Sequence, residues 1–324
     1  MNAAAQPRNR AAAQPFIILT LLLLIAIALA ITFGAVPLNW HDATARMILL
    51  RLRLPRVLLA AAIGATLAVA GVTFQTLLRN PLADPFILGV SGGAACGAAV
   101  ATALRWNRVP GLVPIVAFAG ALLATAAVFL LARRRDHTDP VRLLISGLVL
   151  NAFFSAVILI SFALSPQNDL TAALKWMMGT LFGATWTSVV LVASLLVIAI
   201  IVLAFNANDL RLLVFGEEDA KARGVNVERV KLIGFGVASI VTGAAVAVSG
   251  IIGFVGLLVP HLIRLVWRRD FRLLLPLCAL GGATLVVASD LVSRVVVQTT
   301  ELPIGAFTAL LGVPFFLSLL RRAS

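Results

Sequence analysis

Residues 206 to 231 read NANDLRLLVFGEEDAKARGVNVERVK. They interrupt a chain whose remaining sequence is almost continuously apolar. A run carrying Asp209, Arg211, Glu217, Glu218, Asp219, Lys221, Arg223, Glu228, Arg229 and Lys231 cannot lie in hydrocarbon, where each charge is costly to desolvate. It therefore marks an aqueous face between two membrane segments. Its DAKARGV core predicts one or two helical turns closed by Gly224 as a C-terminal cap. A short polar helix on the aqueous face of a membrane protein is a natural contact for a soluble partner.

Composition points the same way. The chain is 61% hydrophobic and 12% charged, against about 45–50% apolar and about 25% charged in soluble domains. The net charge of +13 could suggest nucleic acid, but the Lys and Arg residues sit in short loops between apolar runs, as the positive-inside rule requires. Nucleic-acid binding is therefore excluded. Cys96 and Cys278 lie in separate apolar segments without CxxC spacing, so they read as small buried hydrophobes and not as a disulfide or metal pair.

Outward from the island, ten apolar runs suit membrane spans: 16–37, 56–78, 86–104, 110–132, 143–164, 185–205, 230–249, 251–267, 273–293 and 304–320. Most approach the roughly 20 residues a bilayer core demands, and the eighth is short and interrupted by glycines. The expected class is all-α: a cytoplasmic tail over 1–15 and one transmembrane domain over 16–322, with a cytoplasmic coupling segment at 207–228. The first apolar run exceeds the h-region of a signal peptide, so it is expected to stay as a helix. Placing both termini of a multi-pass membrane protein in the cytoplasm gives that side 18 of the 26 Lys and Arg residues, the asymmetry the rule favours. Arg46, Arg51, Arg53 and Arg56 then crowd the first outer loop against it.

Ala60, Gly64 and Ala68, like Gly89, Gly93 and Gly97, stand four apart, making small-residue stripes where helix backbones can approach closely. Chemistry-bearing motifs are missing: no GxxxxGK[ST] phosphate loop, no HExxH, no GxSxG elbow. His41, His137 and His261 do not form a ligand set, so no metal and no catalytic residue is assigned. The acids fall near the ends of spans. Asp290 and Arg294, at i and i+4, read as a local ion pair at the outer interface. A transporter with neither a nucleotide site nor a coupling acid of its own must receive energy through a partner.

Four motifs carry a resemblance: RLRLPRVLLA at 51–60, GVTFQTLLRNPLADPFILGVSGGA at 71–94, GFVGLLVPHLIR at 253–264 and ELPIGAFTALLGVPFF at 301–316. In this order they resemble the permease subunits of binding-protein-dependent ABC importers for iron chelates, haem and cobalamin, the FecCD type, over the chain from about residue 16. The resemblance implies a type II importer architecture: a homodimer in the lipid membrane, two cytoplasmic ATPase subunits and a periplasmic or lipid-anchored binding protein. This chain would be no enzyme and bind no cofactor; ATP would be used by the partner. Ferric siderophore is the expected cargo, with cobalamin or haem as alternatives within the family. An ion-coupled secondary carrier and a membrane-embedded enzyme are the alternatives outside it.

The same resemblance assigns roles. The proline-bounded turn holding Asn80 and Leu82 would form a cytoplasmic gate, with Thr138 and Asp139 as a looser second constriction. Gly216, Glu217, Glu218, Asp219, Ala220, Lys221, Ala222, Arg223, Gly224 and Val225 would couple to the ATPase. GFVGLLVPHLIR, with Gly250, Gly253, Gly256 and Pro260 weakening its helix, would support that coupling, with His261 and Arg264 near the cytoplasmic surface. Arg53, Arg56 and Arg294 would present guanidinium forks at the outer mouth to carboxylates of the binding protein.

Overall fold

A computed structural model describes residues 7–34, 43–134, 137–267, 270–296 and 302–323. His41, Asp42, Arg135, Arg268, Arg269 and Glu301, all weighed from sequence, lie outside these described residues. Helix α1 (Pro7–Thr32) is followed by α2 (Ala43–Ile48), which runs through a π-helical turn (Leu49–Arg53) into α3 (Leu54–Leu77). Next come α4 (Val90–Ala103), α5 (Leu112–Ala132) and α6 (Pro140–Leu164), then the short α7 (Gln167–Met177) and the long α8 (Trp186–Phe205). The polar island folds as α9 (Ala207–Leu213) and α10 (Glu217–Ala222) and leads into α11 (Val227–Ser249). The last three are α12 (Val255–Val266), α13 (Phe271–Val295) and α14 (Ile304–Ala323). Two two-residue strands, β1 (Arg133–Arg134) and β2 (His137–Thr138), pair antiparallel between α5 and α6.

Among the described residues, seven helices are long and apolar enough to cross a membrane, and α4, α12 and part of α14 are shorter apolar helices. Together they match the ten runs expected from sequence, although several boundaries move. The second span begins at Ala45 and not at residue 56, making a 33-residue rod. Pro55, which lacks an N–H and clashes with the preceding turn of a helix, lies inside it. The π-turn absorbs that defect: the Leu54 N–H bonds back to Leu49 O, five residues earlier. The third span begins at Val90 and not at 86, because Gly89 adopts a left-handed conformation at φ 86° that ends the irregular connection before it. The eighth begins only at Val255, after an irregular segment from Gly250 to Phe254. The amphipathic α7, unforeseen from sequence, lies between the fifth and sixth spans.

Helix α3 is the centre of the bundle. It is apolar all round, and its residues from Ala62 to Leu77 are buried, the pattern of a helix enclosed on every side. It packs against α8, α11, α12 and α13. Small residues set these crossings: a Cβ on Gly64 would collide with the Gly282 carbonyl of α13, and one on Gly71 with the Gly256 carbonyl of α12. The expected stripe at Gly93 and Gly97 does the same work for α4 against Gly120 and Val116 of α5. By contrast, only 11% of the most apolar stretch of α6 is buried. Its exposed Leu148, Leu159 and Leu164 suit lipid or a second protein surface, not water.

Candidate functional site

The island builds its exposed helix with care. Gly216, at φ 139°, turns the chain into α10, whose first turn carries Glu217, Glu218 and Asp219 beside the positive end of the helix dipole. Gly224, at φ 82°, closes it as expected: its N–H bonds Lys221 O at 2.9 Å while the Val225 N–H reaches Ala220 O at 3.0 Å. These are the paired bonds of a Schellman cap. Ala220 and Val225 turn inward and are buried. Glu218, Asp219, Lys221, Ala222, Arg223 and Gly224 face outward. Of the ten residues expected to couple, six form an exposed surface and the rest anchor it.

The strongest anchor is ionic. Lys231, 4% exposed, sits one turn into α11. Its Nζ donates to Glu217 Oε2 at 2.8 Å, to Glu228 Oε1 at 3.2 Å and to the Thr138 carbonyl at 2.8 Å. Glu228 in turn accepts from the Thr138 hydroxyl at 2.8 Å and from its N–H at 3.2 Å. Glu217 Oε1 faces Arg79 at 3.9 Å. Sequence reasoning placed Lys231 and Glu228 in the solvated island and missed this cluster; their i,i+3 spacing at the start of an apolar helix was the only signal.

The gate residues part company. Leu82 is 47% exposed, and Asn80 shapes its turn by accepting the Leu82 N–H at 2.9 Å, the Asx-turn that the NPL sequence favours. Thr138, expected to line a second constriction, is buried at 1% exposure with its hydroxyl committed to Glu228; it therefore does not open on a pathway. Asp139 is the N-cap of α6, accepting the Val141 N–H at 2.8 Å ahead of Pro140. Pro140 occupies a first-turn position where its missing N–H costs nothing.

Asp84, in the same connection as Leu82 but buried, accepts the Phe86 N–H at 2.8 Å. Burial pushes its carboxyl up to about 6, against the downward pull of that N–H. Nearby irregular backbone is satisfied by side chains from neighbouring helices. Asn151 donates to Phe86 O at 3.2 Å, and Gln75 donates to Gly256 O at 3.2 Å while accepting from Arg264. Such support is required where non-helical backbone is buried in a membrane protein. His261 lies inside α12 and not at a helix end, its ring against those of Phe315 and Phe316 at 5.9 Å each.

At the opposite end the three arginines expected to stand open are turned inward. Arg53 and Arg294 are 6% and 5% exposed. Asp290, 0% exposed, receives Arg56 at 2.9 Å and Arg294 at 3.0 Å. Arg53 donates to the carbonyls of Ile31 at 2.6 Å and Thr32 at 2.9 Å, and Arg294 to that of Ala30 at 3.2 Å. The last carbonyls of α1 lack helical partners, and the guanidiniums satisfy them. The i,i+4 pair of Asp290 and Arg294 is present but buried, with Arg56 as an additional partner. The picture of guanidinium forks offered to a binding protein is thus corrected to a clasp joining α1, α3 and α13.

The profile of the FecCD transport family matches residues 21–322. The chain is 45% identical over 296 residues to the cobalamin import system permease protein BtuC of Halobacterium salinarum, covering 91% of this chain and 79% of that protein. It is 40% identical over 323 residues to the hemin transport system permease protein HmuU of Yersinia pestis, covering 95% and 96%. Among solved structures, a metal-chelate type ABC transporter in an inward-facing conformation superposes with a TM-score of 0.84 at 30% identity, covering 94% of this chain and 97% of that one.

Proposed function

Because the chain belongs to the FecCD transport family, we propose that it is the permease subunit of an ABC importer in a bacterial inner membrane, both termini cytoplasmic, moving a metal-bearing tetrapyrrole, cobalamin or haem, into the cell. The cargo follows the relatives, which are named for cobalamin and hemin, and it replaces the ferric siderophore first expected. Two copies form the pathway, a binding protein delivers cargo at the outer face, and two ATPase subunits supply the energy; this chain binds no nucleotide or cofactor itself.

The observation that carries the energy-coupling part is α10: a capped helix, pinned from inside by Ala220, Val225 and Glu217, with six outward residues left for a soluble partner. Gly216 to Val225 enter a groove of the ATPase, and Asn80, Leu82 and Asp139 narrow the cytoplasmic end of the pathway. An ion-coupled carrier fits less well. Asp290, the span acid it would use, is buried and already engaged by Arg56 at 2.9 Å and Arg294 at 3.0 Å, a structural ion pair joining two helices.

Proteoliposomes containing this chain with its ATPase and binding protein test the proposal. ATP-dependent uptake of cyanocobalamin or haemin is expected, with neither moved when ATP is omitted. Uptake driven by a proton or sodium gradient in the absence of ATPase overturns it, and uptake confined to a ferric siderophore overturns the cargo.

A further inference from the structure

We infer that Lys231 makes the coupling helix and the α5–α6 turn a single mechanical unit, so that a displacement of α10 is delivered to the start of α6. The inference rests on the coupling role proposed for α10 and adds the residue that transmits it.

The argument starts from the ammonium group. Lysine has three donor hydrogens and no acceptor, and a buried ammonium is tolerated only when paired and hydrogen-bonded. Lys231 meets that condition with three acceptors from three places: Glu217 on α10, Glu228 on its own helix, and the backbone carbonyl of Thr138 at the end of β2. No donor remains to exchange. If α10 moved without the turn, one of two short bonds at 2.8 Å would break inside the protein, and the ammonium would be left under-satisfied. Glu228 doubles the connection to the turn by holding both the hydroxyl and the N–H of Thr138. The next residue, Asp139, caps α6, so the grip passes directly into that helix.

The other connection is weaker. Arg79, which leads into the Asn80–Leu82 turn, meets Glu217 only at 3.9 Å with 42% of its side chain exposed. Exposed pairs at such distances contribute little. The α5–α6 turn is therefore locked to the coupling helix, whereas the Leu82 turn follows loosely. Lys231 is a positioning residue: it touches neither cargo nor nucleotide.

Two readouts test this. Spin labels at E218C and R142C, in a background carrying C96A and C278A, report the distance between α10 and the start of α6 in the purified chain. A single narrow distribution is expected with Lys231, a broad one in K231M, and a narrow one again in K231R, which keeps the charge and donors. In the reconstituted complex, K231M is expected to retain ATP hydrolysis while cargo uptake per ATP falls about tenfold, the usual scale of coupling between sites. If K231M does not insert, E217Q, which keeps an acceptor but removes the charge from a part-exposed position, carries the distance measurement. An unchanged distance distribution overturns the inference, as does a broadened one with undiminished uptake per ATP. A wild-type complex that moves no chelate strikes the functional proposal instead, and the spin-label distances still decide whether Lys231 joins the two elements.

Discussion

Asp290 has two guanidinium partners on two helices, and truncating it leaves a buried Arg294 and a partly buried Arg56 beside a void. D290A is expected to lower stability by about 3–5 kcal/mol, the scale for stripping one partner from a buried ion pair, measured by thermal unfolding in detergent. Asp84 makes the reverse case. Its carboxyl is raised to about 6, so its ionised form is disfavoured in the folded chain, and the protein loses stability as pH rises through that value. D84N keeps the acceptor for the Phe86 N–H without the charge. It is expected to stabilise the chain at pH 8 by up to about 3 kcal/mol, the gain fading as pH falls toward the ordinary carboxyl range. A gain independent of pH would sink the assignment. Legibility at this scale depended on distance along the chain. The i,i+4 pair of Asp290 and Arg294 could be seen; Arg56, 234 residues away, could not. Nor could sequence show that the carbonyl end of α1 lies within reach of Arg53, which is why those arginines read as open.

The short elements were legible where glycine and charge punctuate them. Gly216 and Gly224 bracket α10, and both adopt positive φ as its ends. Reversing charge on its outer face with E218K and K221E is expected to weaken ATPase association, seen in co-purification, without loss of membrane insertion, since neither side chain is buried. Normal assembly of that double variant would return α10 to a purely structural role. Where several irregularities fell close together, boundaries slipped. The early start of the second span was hidden because a π-turn leaves no signature in residue type. The onset of α12 was blurred because Gly250, Gly253 and Gly256 promise weakness without saying which residues leave the helix; Gly250, at φ 69°, ends α11 and Phe254, at φ 66°, turns the chain into α12.

For the whole molecule, hydropathy alone exposed the ten-helix plan, because every backbone group crossing a bilayer must be satisfied within its own helix or by a neighbour. It could not show that α3 is the hub, since an enclosed helix and a lipid-facing one are equally apolar. Cargo was also illegible: four family motifs identify a class of transporter, not the molecule it moves. If two copies meet around the pathway, L82C on its exposed turn is expected to crosslink between subunits in at least one nucleotide state; an active transporter that never crosslinks there places the gate elsewhere. The clasp of α1, α3 and α13 also has a consequence for biosynthesis. Arg56 leaves the ribosome 234 residues ahead of the carboxylate that will hold it. Early intermediates must therefore keep the junction of the first two spans loose until the ninth is threaded, and the last act of assembly seals a joint begun near the first. Released chains truncated after Val266 should be nicked by protease between α1 and α3, and released chains truncated after Val296 should resist.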